Sequence, residues 1–81
     1  MAKPNRRQER ENRIKDAVEL LKQAVSLVDD VKEDCLDAFG NLPENFQQGE
    51  RGQILEEAAS ALEEVSGGID DQIASLEEVE F

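Results

Sequence analysis

The chain has 81 residues, twenty of them acidic against nine basic, and no histidine. A chain this short supports one small domain whose core needs help from disulfides, a metal or partner subunits. With Cys35 as the single cysteine and no histidine, neither an intrachain disulfide nor an ordinary zinc site can be assembled within one chain, so partner subunits are the expected source of stability. No run approaches the roughly 20 apolar residues of a membrane span, and no apolar segment follows the basic start as a secretory signal requires. The expected location is the cytoplasm.

Charge is divided along the chain. Residues 1 to 15 hold Lys3, Arg6, Arg7, Arg10, Arg13 and Lys15 against Glu9 and Glu11, a local net of plus four. From Asp16 onward only Lys22, Lys32 and Arg51 oppose eighteen carboxylates. An acidic body of this kind repels phosphate backbones, which counts against direct DNA binding.

In the first half Ile14, Leu21, Val28 and Cys35 recur every seven residues, with Ala17/Val18, Ala24/Val25, Val31 and Ala38/Phe39 filling the half-turns. That spacing predicts an amphipathic helix over about 5–39, stopped by Gly40-Asn41 in a left-handed conformation and by Pro43. Residues 40 to 50 are rich in Gly, Pro and Asn and read as a loop, with room for one short helical turn from Pro43.

The second half, about 51–79, carries a heptad repeat: Leu55-Glu56-Glu57, Leu62-Glu63-Glu64, Ile69-Asp70-Asp71 and Leu76-Glu77-Glu78. With the Leu/Ile position as the first seam residue, the second falls three residues on, at Ala58, Val65, Gln72 and Val79. Ser60-Ala61, Gly67-Gly68 and Ala74-Ser75 form a further, small-residue stripe. Two glycines cost about 1 kcal/mol each inside a helix, so either another helix packs closely on them or the helix kinks there.

The short loop makes the two helices antiparallel. The fold class is therefore all-α: an antiparallel helical hairpin with coiled-coil heptads, assembling into a homo-oligomeric helical bundle. Leu55, Leu62, Ile69 and Leu76, with Ala61, Gly67 and Gly68, are the expected oligomer interface. Folding the chain about residue 45 also brings the basic N-terminal turns beside Asp71, Glu77, Glu78 and Glu80.

Cations occur in two places suited to an anionic ligand. Arg6, Arg7, Arg10 and Arg13 can fork onto phosphates, or else pair with the facing acidic end of the second helix. Arg51 lies between Gly49 and Gly52, where free backbone N–H groups at a helix start favour an anion and Phe46 can stack on a base. The plainer alternative has Arg51 bridging to Asp37 or Glu44 while Phe46 plugs the core. The paired carboxylates from Glu56 to Glu78 form a row that can imitate a nucleic-acid backbone or serve as a solvated coiled-coil face.

Catalysis is not expected. Glu33-Asp34-Cys35-Leu36-Asp37 resembles the Mg-binding helix of all-α nucleotide pyrophosphohydrolases, but no Glu-x-x-Asp follows on the second helix, and histidine and a phosphate loop are both lacking. Cys35 falls on the apolar stripe and reads as core. No metal site and no cofactor are expected.

Asn41-Leu42-Pro43-Glu44-Asn45-Phe46-Gln47, then Glu50-Arg51-Gly52, then Leu55-Glu56-Glu57-Ala58 and Leu62-Glu63-Glu64 resemble small acidic helical-hairpin proteins of bacterial phages and prophages, over about half the chain. The resemblance implies a mobile-element origin and residence in a bacterial host cell, with no settled activity. By analogy of architecture, such small helical oligomers include anti-defence proteins that hold cyclic-nucleotide signals between subunits. The expected function is thus a non-catalytic, phage-encoded binding protein, with itself and an anionic small molecule such as a cyclic nucleotide as partners. The alternatives are an acidic nucleic-acid mimic directed at a host defence protein, and a structural or regulatory bundle.

Overall fold

A computed structural model describes residues 5–81; Lys3 lies outside the described residues. Helix α1 spans Arg6–Gly40. Its start is set by Asn5, whose Oδ1 accepts hydrogen bonds from the backbone N–H groups of Arg7 at 3.1 Å and Gln8 at 3.4 Å, satisfying two amides that a helix start leaves without partners. Glu9 in the first turn complements the positive end of the helix dipole. Asn5→Ala should cost about 1 kcal/mol, seen as loss of helical circular dichroism from the first turns ahead of the main thermal transition.

The left-handed stop expected at Gly40-Asn41 is not used. Gly40 remains helical and Asn41 caps with φ −86° and ψ −8°, its N–H donating back to the carbonyl of Asp37 at 3.0 Å. What ends the helix is Pro43, which lacks an N–H to continue the ladder and holds its own ψ at 148°. One turn of helix, α2 (Glu44–Gln47), follows directly. Gln47 ties this tip to α1, since its Nε2 donates to the carbonyls of Phe39 at 3.2 Å and Leu42 at 3.1 Å. Removing that amide in Gln47→Ala should cost about 1 to 2 kcal/mol, read as a lowered urea midpoint with an unchanged m-value.

Helix α3 spans Glu50–Glu77 and runs without interruption through Gly67 and Gly68, which removes the kink considered from the sequence. A Cβ at either glycine would meet nothing within 4 Å, so within one chain no helix packs closely on them.

Helices α1 and α3 pack along their length into a rod of 71 × 19 × 13 Å. The less exposed positions advance by threes and fours. The main row on α1 is Glu11, Ile14, Val18, Leu21, Val25, Val28, Lys32, Cys35 and Phe39, and on α3 Gly52, Leu55, Ala59, Leu62, Ser66, Ile69, Ile73 and Leu76, with Ala17, Ala24, Asp29, Ala38 and Ala58 half-buried beside it. The companion row on α3 thus stands four residues after each Leu/Ile, at Ala59, Ser66 and Ile73. The row at Ala58, Val65, Gln72 and Val79 is the wrong one: Val65 is 48% exposed while its neighbour Ser66 is 8%. Among the described residues only Val18, Ala59, Ser66, Ile73 and Gly52 are fully buried. Two helices in contact along one line can cover no more.

One residue step turns a helix by about 100°, so the residues just before each contact position form a row on the flank of the rod. Because α1 and α3 run in opposite directions, those two preceding rows fall on the same flank. From α1 it receives Ala17, Leu20, Ala24, Leu27, Val31, Asp34 and Ala38; from α3, Ile54, Ala58, Ala61, Val65, Gly68, Gln72, Ser75 and Val79. The residues just after each contact position form the opposite flank, with Lys15, Glu19, Lys22, Asp29 and Glu33 from α1 and Glu56, Glu63, Asp70 and Glu77 from α3. One flank is apolar apart from Asp34 over these stretches, with Arg10, Arg13 and Arg51 at its ends, and the other carries most of its charge among Ser26, Leu36, Ser60, Gly67 and Ala74.

Candidate functional site

The candidate ligand-binding residues fall at the two ends of the rod. Arg51 stands exposed in the first turn of α3, and Phe46 on α2 is 55% exposed. Phe46 therefore does not plug the core. Gly49 caps α3 with extended backbone, and the first amides of that helix beside Arg51 have no side-chain cap. Gly52 is buried under the tip: a Cβ there would lie 2.6 Å from the Gln47 carbonyl carbon and 2.8 Å from its Cα. This glycine is what lets α2 fold back onto α3 and sets where Phe46 and Arg51 stand.

Arg6, Arg7, Arg10 and Arg13 occupy the other end, about 45 Å away at ~1.5 Å per residue of α1. A single chain therefore does not bring the two sets of cations together. Residues 5 to 10 are all exposed, and burial against α3 begins at Glu11. The pairing expected with Asp71, Glu77, Glu78 and Glu80 is not made. Both ion pairs among the described residues lie inside α1, Arg7 to Glu11 at 3.6 Å and Arg13 to Glu9 at 3.5 Å, each an exposed four-residue step. Such pairs hold weakly and leave the arginines free to turn elsewhere.

An open cleft of about 620 Å³ lies near this end, between α1 and the last residues of the chain. Ile14, Val18, Leu76, Val79 and Phe81 supply its apolar walls, and Lys15 and Lys22 stand on its rim with Glu11, Asp16, Glu19 and Glu77. Carboxylates outnumber the lysines, a poor balance for an anion. Lys15 and Lys22 were not singled out from the sequence, although their seven-residue spacing on one side of α1 is a readable signal.

Of the expected oligomer residues, Leu55, Leu62, Ile69 and Leu76 are half-buried in the line of contact with α1, whereas Ala61, Gly67 and Gly68 are exposed. Ala61 and Gly68 lie on the apolar flank, and Gly67 lies on the charged one. The paired carboxylates from Glu56 to Glu78 are exposed without exception. Among the described residues no group of three His, Cys, Asp or Glu side chains is placed to hold a metal ion, and no helix is long and apolar enough to cross a membrane. No protein-family model matches the chain, and neither curated proteins nor solved structures give a match.

Proposed function

We propose that the chain is a non-catalytic binding protein of phage or prophage origin that works in the host cytoplasm as a homo-oligomeric, coiled-coil helical bundle. It captures an anionic host molecule such as a signalling nucleotide. The observation that carries this reading is the apolar flank. Leu20 at 65%, Leu27 at 67%, Val31 at 52%, Ile54 at 48% and Val65 at 48% exposure line one side of a molecule in which only three apolar side chains among the described residues are buried. A contiguous apolar surface of this kind marks an interaction site.

The anion binds at cations, which this chain presents at Arg51 beside Phe46 and the uncapped start of α3, and at Arg6, Arg7, Arg10 and Arg13. Calorimetric titration with cyclic mono- and dinucleotides tests this. Micromolar binding that Arg51→Ala or the triple change of Arg6, Arg7 and Arg10 to alanine weakens at least tenfold supports it. No heat from any of them at micromolar protein removes the nucleotide.

One observation favours a second reading, in which the acidic flank occupies the nucleic-acid groove of a host defence protein. The carboxylate pairs from Glu56 to Glu78 recur about every 10 Å along the axis at ~1.5 Å per residue, on average one charge per roughly 5 Å against the ~3.4 Å per charge of one DNA strand. A decoy of this kind loses its partner steeply between low and high salt, whereas an apolar contact does not.

A further inference from the structure

We infer that two copies of the chain pair through the apolar flank with their tips at opposite ends, α1 crossing its counterpart antiparallel at Ala24 and Arg13 meeting Asp34 of the other copy. This rests on the oligomeric reading above and adds to it the face and the direction.

Size is the first argument. The flank runs about 38 Å along α3 at ~1.5 Å per residue and spans the 19 Å width of the rod, which offers roughly 700 Å², close to the ~800 Å² per partner of a standard stable interface. Its charge content is the second. Between Ala17 and Val31 on α1, and from Ile54 to Val79 on α3, the flank carries no charged residue. Elsewhere the chain is so acidic that two copies repel, so this is the one side on which they can approach.

Direction follows from the ends of the α1 row. Continued toward the N-terminus it reaches Arg13 and Arg10, and toward the tip it meets Asp34, its only acid. Turning one copy end over end about Ala24 sets Arg13 opposite Asp34, Leu20 opposite Leu27 and Ala17 opposite Val31. The same turn lays α3 antiparallel on its counterpart, with Ala58, Ala61, Gly68 and Ser75 on the face between them. Ala17 against Val31 sets a small residue on a larger one, as close packing needs.

The other face-to-face stacking, with tips together, lays α1 on the partner's α3. Asp34 then sits over the stretch around Ala58, which supplies no cation, and a covered charge without a partner is costly. The end-over-end pair also carries the Arg6 to Arg13 arm of each copy to the tip of the other. There it joins Phe46 and Arg51, the cations that a single chain keeps about 45 Å apart at ~1.5 Å per residue.

Light scattering after size exclusion, over a dilution series, tests the pairing. The wild-type chain should run as a dimer or an assembly of dimers. Leu27→Glu should weaken pairing about a hundredfold or more, since the leucine is lost twice per dimer. Leu36→Glu, at a residue 50% exposed on the opposite flank, should leave pairing unchanged. Arg13→Glu and Asp34→Arg should each weaken pairing about tenfold, and the double variant should recover to within about threefold. These two residues lie about 32 Å apart on one helix at ~1.5 Å per residue, so recovery can arise only between copies. Both side chains are exposed, and circular dichroism confirms that each variant keeps its helices. A monomeric wild type at hundreds of micromolar overturns the oligomeric reading and this pairing together. An oligomer that survives Leu27→Glu, or a charge swap that fails to recover, overturns the pairing alone.

Discussion

Gly52→Ala should destabilise the fold by about 3 kcal/mol, the upper part of the usual overpacking range, and lower the melting temperature by roughly 10 to 20 °C for a domain of this size. The atoms that an added Cβ would strike belong to the backbone of Gln47, its carbonyl group and its Cα. A flexible side chain could swing aside; a backbone held between Pro43 and Gly49 cannot. Relief requires α2 to lift off α3, which also strains the two hydrogen bonds from Gln47 to Phe39 at the end of α1 and to Leu42 just past it. Gly67→Ala is the contrasting case, because a methyl there enters open space on a helical backbone. It should stabilise by about 0.5 to 1 kcal/mol through the unfolded chain's lost freedom. Thermal unfolding of both variants at one protein concentration checks the opposite signs. If Gly52→Ala melts within a few degrees of wild type, the close seating of the tip is wrong.

Ile73→Ala should cost about 2 to 4 kcal/mol, as for other large-to-small changes at buried sites. Ile73 is 6% exposed and, with Val18 and Ala59, makes up the apolar interior of the rod. So thin a seam has no second layer to close over a cavity, and a two-helix rod cannot draw its helices together at one level without moving them along their length. Leu36→Ala removes a side chain that is half exposed on the charged flank and should cost less than about 1 kcal/mol. The urea midpoints of the two variants measure the difference directly. Near-equal losses would mean that burial in the hairpin seam does not set stability.

The helices were legible from period alone, and their ends were placed within a residue or two, because Pro43 and the Gly-rich turn interrupt any continuous ladder. The row that shares the seam with Leu55, Leu62, Ile69 and Leu76 was harder. Positions three and four residues on are both compatible with a helix contact, and the apolar choice misleads: Val65 looks like core beside Ser66, yet Ser66 faces α1. Only Gln72 beside Ile73 points the other way. The ambiguity has a physical source, since a helix with two apolar faces fills both candidate rows. Hydropathy alone cannot say which face the chain covers for itself. At the ends of the rod, the sequence read Arg6 to Arg13 as facing acids on α3. That required the helices to begin level, and α1 reaches further than its partner helix does.

That extra reach makes the first turns of α1 a helix supported by Asn5, two exposed ion pairs, a hydrogen bond from Gln8 to Asn12 and its own backbone. A segment so short is marginal in water without tertiary contacts, so its amides should exchange with deuterium far sooner than those around Val18 and Ile73. Whatever grips the arginines there must also hold the segment in its wound form. Protection of those amides from exchange would then report occupancy at that end of the rod, with no label on the ligand.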